Sequence, residues 1–210
     1  MTRLKIFFYK LKKIGLLNAV IGMAELVGNQ ILHLFFHFDK WHIGAPYHLK
    51  PYKAQVVEII NNLTVTSVTE VGCGLGDIIS RVDSLERLGI DPDVQVIKCA
   101  TFLHGNKCNF YTSDLENSAM IINSSSDEGG IKLIVMINWL HNIEFYQLKK
   151  ALLKLQSPAH QYFLLMDVIY DEIEGYKYKH SKVSDLGEII EKYESVDKVR
   201  YFVLIELDLG

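Results

Sequence analysis

The stretch SVTEVGCGLG, residues 67–76, decides the fold of this 210-residue chain. An apolar run that ends at Val71 predicts a β-strand, and three glycines follow at every second position: Gly72, Gly74 and Gly76. Glycine at a strand end lets the backbone turn sharply and come into contact with a ligand that any Cβ would hold away. The stretch therefore predicts a strand that ends in a nucleoside-binding loop.

A carboxylate lies at the end of the next predicted strand. The apolar run Leu85–Ile90 leads into Asp91, about 20 residues after the first glycine, which is the spacing at which a carboxylate accepts both hydroxyls of a ribose. Another carboxylate, Glu70, stands two residues before the first glycine. Together these residues predict a site for a nucleoside cofactor.

The residue at position 77 argues against a dinucleotide. A GxGxxG loop requires glycine there, but the chain has Asp77, which the sequence places in the first turn of the following helix. A pyrophosphate would meet that carboxylate and lose the advantage of a helix N-terminus. S-adenosylmethionine carries a sulfonium and an ammonium and no phosphate, so Glu70 and Asp77 favour it over NAD.

The motif of an acidic residue, any residue and GxGxG resembles the first motif of the class I S-adenosylmethionine-dependent methyltransferases, and the resemblance spans about residues 50 to 170. It implies that the glycine loop, with Cys73, lies under the methionine part of S-adenosyl-L-methionine. It implies that Asp91 and Pro92 hold the ribose, that Asp114 and Leu115 approach the adenine, and that Asn138 helps to position the cofactor.

The alternation of predicted strands and helices indicates an α/β fold, Rossmann-like, with a mostly parallel sheet flanked by helices. Residues 1–50 are predicted to form an N-terminal helical extension, and residues 51–210 the cofactor-binding methyltransferase domain. Near the C-terminus we predict a helix over Ser184–Tyr193 and a final strand over Arg200–Leu207. Only Glu194–Val199 then remains for the first arm of a terminal hairpin, so that arm is very short or missing.

Composition excludes some classes of partner. A formal net charge of −3 gives no concentrated basic surface and argues against nucleic acid. The three cysteines, Cys73, Cys99 and Cys108, form no CxxC pair, so neither a disulfide framework nor a zinc cluster is indicated and a reducing cytoplasm is expected. Asp167 and Asp171 do not make the tight carboxylate set of a divalent-cation site, and no metal is predicted.

Five basic residues precede an apolar stretch, residues 14–38, at the N-terminus: Arg3, Lys5, Lys10, Lys12 and Lys13. Polar residues interrupt the stretch, so no uncharged run reaches the roughly 18 residues of a spanning helix. We predict helices that do not cross a bilayer. Three roles are open for them: covering the acceptor site, forming a homo-oligomer, or resting on the inner face of a membrane.

Residues after the fourth and fifth predicted strands face the place where a methyl group would be transferred. His141 is the candidate general base, because a hydroxyl acceptor needs one and histidine titrates near neutral pH. The alternative is that His141 caps the helix beginning near Glu144 or packs against Trp139.

Aromatic and histidine side chains suit a sugar ring, whose C–H face stacks on aromatics while its hydroxyls need partners. The candidate acceptor-binding residues are Trp41, His42, Tyr47, His48, Trp139, Tyr178 and His180. The alternative for the segment from Trp41 to His48 is an ordinary hinge packed on the sheet edge. The surrounding stretch, residues 38–52, is similar to small methyltransferases of bacterial surface-polysaccharide gene clusters, which implies a small-molecule or glycan acceptor.

The sequence thus favours an S-adenosylmethionine-dependent O-methyltransferase of a small acceptor. A catalytically silent cofactor-binding partner or regulatory subunit is the alternative. Another nucleoside-dependent enzyme on the same fold, such as an aminopropyltransferase or an NAD enzyme, is disfavoured by Asp77.

Overall fold

A computed structural model describes residues 14–124, 130–155 and 160–209. The five basic residues of the N-terminus lie outside the described residues. Within them, seven strands form one sheet in the order β3-β2-β1-β4-β5-β7-β6. The strands are β1 Ser67–Val71, β2 Glu86–Asp91, β3 Asn109–Thr112, β4 Gly130–Met136, β5 His160–Ile169, β6 Gly187–Glu194 and β7 Arg200–Leu207.

Five α-helices accompany the sheet in the described part of the chain: α1 Leu16–Phe36, α2 Pro51–Asn61, α3 Val94–His104, α4 Leu115–Ser124 and α5 Phe145–Leu152. Strands β1 to β5 are mutually parallel, and β7 runs antiparallel to both β5 and β6. The chain order reverses direction between β1 and β4, so the carboxyl ends of these two strands border the crevice where α/β sheets bind ligands. The predicted Rossmann-like fold is confirmed.

Hydrophobic cores lie on both faces of the sheet because successive strand residues point to opposite sides. In β4, Leu133 and Val135 pack with α2 on one face, and Ile134 and Met136 pack on the other face with α4 and α5. A third, smaller cluster joins the end of α1 to α3 through Phe38 and Val96. The helical segment before residue 51 therefore packs on the rest of the chain, while the predicted domain boundary stays a prediction.

Two predictions about the C-terminal region are wrong. Residues 187–194 form a strand and not a helix, and this eight-residue strand is the first arm of the terminal hairpin. Its Glu and Lys residues favour a helix locally, but antiparallel pairing with β7 along one side of the strand overrides that preference. Charged side chains on the outermost strand also protect its free edge, which explains the composition that suggested a helix.

The helix expected after the glycine loop is shorter than predicted. Asp77 lies in a turn, and only a 3₁₀ turn over Ile79–Arg81 follows. Helical periodicity over residues 93–103 predicts that Val94, Ile97 and Phe102 face inward, but in α3 Val94 and Phe102 are exposed and Ile97 is the one of the three that is buried. The buried face of α3 is thus rotated from the predicted one, because Val96 and Cys99 pack in the cluster that this helix forms with the end of α1.

Candidate functional site

The glycine loop takes the conformation that the sequence predicts. Gly72, Gly74 and Gly76 all have positive φ, at 77°, 53° and 80°. Gly72 also has no room for a side chain, because a Cβ there would lie 2.3 Å from Nε1 of Trp139. At Gly74 a Cβ would lie 3.1 Å from Nδ1 of His42. The loop thus needs glycine both for its backbone angles and for the two rings that rest on it.

Glu70 is buried beneath the loop. Its Oε2 accepts a hydrogen bond from the backbone N–H of Ile79 at 3.0 Å, which ties the end of β1 to the 3₁₀ turn. Burial raises the pKa of Glu70 to about 8, against the opposing effects of the Ile79 N–H and of Lys53. At neutral pH this carboxyl is therefore largely protonated, so its attraction for a cationic cofactor is weaker than the sequence suggested.

Asp91 lies at the end of β2 and is also buried. One carboxylate oxygen accepts the N–H of Gly74, and the other accepts the N–H of Asp93, each at 3.0 Å. Burial raises the pKa of Asp91, while these N–H groups and nearby His42 oppose the rise. The carboxylate therefore fixes the glycine loop to the end of β2, and each oxygen keeps a lone pair for a ligand.

A cavity of about 590 Å³ opens at the carboxyl ends of β1 to β4. Five carboxylic residues line it, and no Lys or Arg is among the described residues that line it: Asp39, Asp91, Asp93, Asp114 and Glu116. Pro92, Leu115 and Trp139 contribute apolar surface. A volume of this size is in the range of small-molecule sites, and its acidic lining disfavours a phosphate-bearing ligand.

A smaller cavity of about 70 Å³ lies on the other side of the glycine loop. It is lined by Tyr52, Lys53, Glu70, Cys73 and Asn138, among others. Four residues border both cavities and separate them: Trp41, His42, Gly72 and Trp139. The predicted cofactor residues thus line these two neighbouring cavities, except Gly76, which lies under Phe110 outside both.

The carboxylate of Asp77 is neutralised by two cations. Lys53 Nζ lies 2.6 Å from its Oδ2, and Arg81 Nη1 lies 4.0 Å from its Oδ1. The predicted exclusion of a dinucleotide by Asp77 therefore loses most of its electrostatic force. The carboxylates that line the larger cavity supply that exclusion in its place. Sequence reasoning missed Lys53 and Tyr52, although their place in the first turn of the helix before β1 was a signal that could have found them.

Tyr47 and His48 do not line either cavity. The guanidinium carbon of Arg81 lies 4.0 Å from the centre of the Tyr47 ring, and His48 Nδ1 lies 2.7 Å from Oε1 of Glu25 in α1. The same Glu25 accepts the backbone N–H of His48 at 3.0 Å. These contacts brace α1 against the turn that follows the glycine loop.

A buried ionic cluster holds the end of β4. Arg200 forms an ion pair with Asp167, and its Nη1 also donates to Oδ1 of Asn138 at 2.9 Å. Asp167 accepts the backbone N–H of Asn138 at 2.9 Å. Asn138 has a φ of 70°, which few non-glycine residues adopt. The cluster holds Asn138 in that conformation at the rim of the smaller cavity, and sequence reasoning missed the role of Arg200.

His141 lies just beyond this cluster, in the 3₁₀ turn Leu140–Asn142. Its ring meets the Tyr176 ring edge-on with centroids 5.0 Å apart, and it borders neither cavity. Nδ1 is buried and has no hydrogen-bond partner among the described residues. Burial lowers the pKa of His141, and Asp167 opposes that shift. His141 is therefore mainly neutral at pH 7, the form that accepts a proton.

The remaining predicted acceptor residues form a packed group behind His141. His180 is buried, with Nε2 2.7 Å from the carbonyl oxygen of Leu140. Tyr178 donates its hydroxyl hydrogen to Glu144 at 2.9 Å and its backbone N–H to the carbonyl of His141. Both residues support the His141 turn from outside the cavities. Their predicted contact with an acceptor remains a prediction, as does that of Tyr47 and His48.

No set of three or more His, Cys, Asp or Glu side chains suited to a metal ion occurs in the described ranges. The three cysteines are buried and free. Burial raises the pKa of the Cys73 thiol well above its ordinary value, so Cys73 is a neutral, apolar lining group.

The fold resembles several solved structures of methyltransferases. The N-methyltransferase NodS from Bradyrhizobium japonicum WM9, in complex with S-adenosyl-L-homocysteine, has a TM-score of 0.56 at 16% identity, over 85% of this chain and 97% of that one. Magnesium protoporphyrin IX methyltransferase ChlM from Synechocystis PCC 6803, with bound S-adenosyl-L-homocysteine, has a TM-score of 0.56 at 13% identity, over 90% and 97%.

The mitomycin 7-O-methyltransferase MmcR has a TM-score of 0.61 at 11% identity, over 84% of this chain and 60% of that one. No family model matches the sequence, and no curated protein matches it. At these identities the likeness is one of fold, and it is the Rossmann-like fold of class I methyltransferases.

Proposed function

We propose that the chain binds S-adenosyl-L-methionine and transfers its methyl group to an oxygen of a small acceptor. The observation that carries this proposal is the acidic cavity of about 590 Å³ at the glycine loop, bordered by Asp91. A cavity whose described lining holds five carboxylic residues and no Lys or Arg suits a nucleoside cofactor that has a cationic centre and no phosphate. The structural likeness to methyltransferases bound to S-adenosyl-L-homocysteine supports the same cofactor.

The residues present fit this cofactor part by part. Asp91 would hold the ribose with the lone pairs that its backbone contacts leave free, and Asp114 and Leu115 would border the adenine. Lys53 and Tyr52 line the smaller cavity, where a carboxylate and an ammonium would be held. Bound S-adenosyl-L-methionine supplies a methyl group already activated by its sulfonium. The chain must therefore align the acceptor and remove its proton.

His141 is the proposed general base. Its neutral imidazole has an unpartnered Nδ1 beside the end of β4, and the charged cluster of Arg200 and Asp167 is close enough to influence its titration. His42 is the competing base, because it borders both cavities and its pKa is also lowered by burial. If His141 is the base, the acceptor must lie between the small cavity and Tyr176. If His42 is the base, the acceptor must lie beside Trp41.

We further propose a sugar of a surface polysaccharide as the acceptor. Trp41 is well exposed beside the cavities, and His42 and Trp139 border them with it. An exposed indole next to hydrogen-bonding groups is the arrangement that sugar rings use. The other predicted acceptor residues would have to be reached by a larger glycan.

The test is a mass-spectrometric screen of candidate sugars and other small hydroxyl compounds with S-adenosyl-L-methionine, looking for a gain of one methylene mass. With the acceptor found, His141→Gln should lower kcat by a factor of about 100 to 10,000, while the affinity for S-adenosyl-L-homocysteine is unchanged. His42→Gln is the matched histidine variant. If it alone removes turnover, the base is His42 and not His141.

One observation favours a second function, a cofactor-binding subunit without catalysis. The smaller cavity holds only about 70 Å³, and Trp139 rests directly on Gly72 between the two cavities. S-adenosyl-L-homocysteine binding together with no methylated product in the screen would support this alternative. A product from any acceptor would reject it.

A further inference from the structure

Helix α1 presents an apolar face that nothing in the described part of the chain covers. Its exposed side chains include Leu17 and Leu34, at 72% and 70% exposure, and Phe35 at 77%. At 3.6 residues per turn, the full set of exposed apolar positions of α1 spans roughly 160° of the helix circumference: Leu16, Leu17, Val20, Ile21, Met23, Val27, Ile31, Leu34 and Phe35. The ring of Phe36 at the end of α1 lies 5.6 Å from that of Phe102, which is also exposed, so the apolar surface continues onto α3.

The opposite face of α1 is fixed to the rest of the chain. A Cβ on Gly22 would lie 2.5 Å from Leu49, which shows how closely the helix approaches the segment before α2. Glu25, the only Asp, Glu, Lys or Arg in α1, is bonded to His48 and lies 3.7 Å from Arg81. Near the end of the helix, His33 Nδ1 lies 2.6 Å from the carbonyl oxygen of Phe38.

By length and composition alone α1 could cross a bilayer, with a mean hydropathy of 1.4. Crossing would require the helix to leave its packing against residues 40–49 and to carry an unpaired Glu25 into hydrocarbon. A helix that lies along the surface keeps every one of these contacts and buries only the face that is already exposed. The contacts therefore favour a surface orientation.

A second copy of the chain is the other candidate occupant. Leu17, Val20, Ala24, Val27, Ile31 and Leu34 recur at alternating spacings of three and four, as in a coiled-coil seam. The positions that flank this seam carry no charge: Leu16, Ile21, Met23, Gly28, Gln30 and Phe35. Coiled coils use charged side chains at those positions to choose a partner, and their seam is narrower than this face.

The charge of the chain before α1 decides between the two occupants. Arg3, Lys5, Lys10, Lys12 and Lys13 precede the helix, and no acidic residue occurs before Glu25. A second copy would bring an identical cationic segment, whereas an anionic lipid surface is complementary to it. We infer that the apolar face of α1 docks on an anionic membrane surface, with the helix lying in the plane of the interface and the basic segment on the headgroups.

The experiment is flotation of the full-length protein with vesicles of phosphatidylcholine alone or mixed with phosphatidylglycerol, at low and at high salt. The wild-type protein should float with the anionic vesicles and bind them less at high salt. The double variant Lys12→Gln and Lys13→Gln should bind about 30-fold more weakly, since each charge contributes about fivefold. The double variant Val20→Glu and Val27→Glu should lose at least about tenfold.

The matched control is Leu85→Glu with Met120→Glu, which adds the same charges at exposed apolar residues away from α1. It should bind like the wild type, and thermal unfolding followed by circular dichroism verifies that every variant is folded. Three results would overturn the inference. The first is equal flotation of the two double glutamate variants. The second is a protein that does not bind vesicles but forms a dimer, which the Val20→Glu and Val27→Glu variant dissociates, and the third is resistance of the bound protein to alkaline extraction.

Discussion

The indole of Trp139 rests on Gly72. Its Nε1 donates a hydrogen bond to the carbonyl of Val71 at 2.6 Å, the residue before that glycine. Trp139, three residues after the end of β4, thereby closes over the end of β1 and borders both cavities there. The conformation of the glycine loop therefore depends on its own backbone angles and also on the Trp139 side chain, which follows the neighbouring strand β4.

Replacing Gly72 by alanine should therefore destabilise the protein by about 2 to 4 kcal/mol. The change adds strain from the positive φ, typically about 1 to 2 kcal/mol, to the displacement of a ring packed against the new Cβ. Urea unfolding measures the loss. The control is Gly28→Ala in α1, where no atom lies within 4 Å of the new Cβ, and it should be neutral or stabilising by up to about 1 kcal/mol. Equal stabilities of the two variants would contradict the assigned role of Gly72.

Replacing Asp91 by alanine should weaken binding of S-adenosyl-L-homocysteine by about 2 to 4 kcal/mol, because a charge-assisted contact to the ribose hydroxyls is lost. It should also lower stability by about 1 to 3 kcal/mol, since the N–H groups of Gly74 and Asp93 lose their acceptor. Calorimetry and urea unfolding measure the two effects separately. Asp83→Ala, at an exposed carboxylate that accepts a hydrogen bond from Nδ2 of Asn61, serves as the control and should leave the affinity unchanged.

An Asp91→Ala protein that is less stable but binds S-adenosyl-L-homocysteine normally would leave Asp91 a purely structural residue. Tighter binding of NAD than of S-adenosyl-L-homocysteine by the wild type would reject the proposed cofactor. The acidic lining of the larger cavity gives the physical reason to expect the opposite order.

Local patterns in the sequence predicted the conformation of the glycine loop, the position of Asp91 at the end of β2 and the central strands correctly. Those features depend on residues that are close in the chain, such as a buried apolar run followed by glycines. The first hairpin strand, β6, was missed because Glu188, Glu191 and Lys192 favour a helix, and only pairing with β7 overrides that preference. The secondary-structure propensity of single residues does not reveal that a strand has a partner when the turn between the two strands lacks a characteristic sequence.

Contacts in the site between residues far apart in the sequence could not be predicted either. Arg200 reaches Asn138 across 62 positions of the chain, and Trp139 reaches Val71 across 68. No spacing rule joins residues so far apart, although their types are ordinary for a buried ion pair and a buried indole. The sequence predicted that His141 follows the end of β4. It could not predict that His141 lies outside the cavities, because that depends on how Tyr176 and His180 pack around the His141 turn.

The ion pair of Arg200 and Asp167 predicts a large effect from removing one partner. Arg200→Met should lower the free energy of unfolding by about 3 to 5 kcal/mol, since it leaves Asp167 buried without its cation. Lys192→Met on the neighbouring strand, where the ammonium lies 5.8 Å from the centre of the Tyr201 ring, should change it by less than about 1 kcal/mol. Urea unfolding compares them.

The effects of Arg200 and Asp167 on the free energy of unfolding should also be coupled to each other. The combined variant Arg200→Met and Asp167→Leu should lose less stability than the sum of the single changes, because it removes both members of the buried pair and leaves only the partly exposed Asp197 without its contact to Arg200. Additive losses would mean that the two side chains stabilise the fold independently.

Glu70 makes stability depend on pH in a defined direction. Its pKa is about 8 in the folded protein against 4.5 in the unfolded chain, so between these values the folded state holds a proton that the unfolded state releases. Its contribution to stability is complete below pH 4.5 and is lost as the pH rises through 8. The loss approaches about 1.4 kcal/mol per pH unit within that window.

Glu70→Gln keeps an oxygen for the Ile79 N–H but cannot ionise. The variant should therefore match or fall slightly below the wild type near pH 5 and become more stable than it near pH 9, by several kcal/mol. Urea unfolding at a series of pH values gives the difference, and Glu58→Gln at an exposed site on α2 should show a constant difference within about 0.5 kcal/mol. A Glu70→Gln curve parallel to the wild type would mean that Glu70 is already ionised in the fold, and its electrostatic attraction for a cationic cofactor would then be restored.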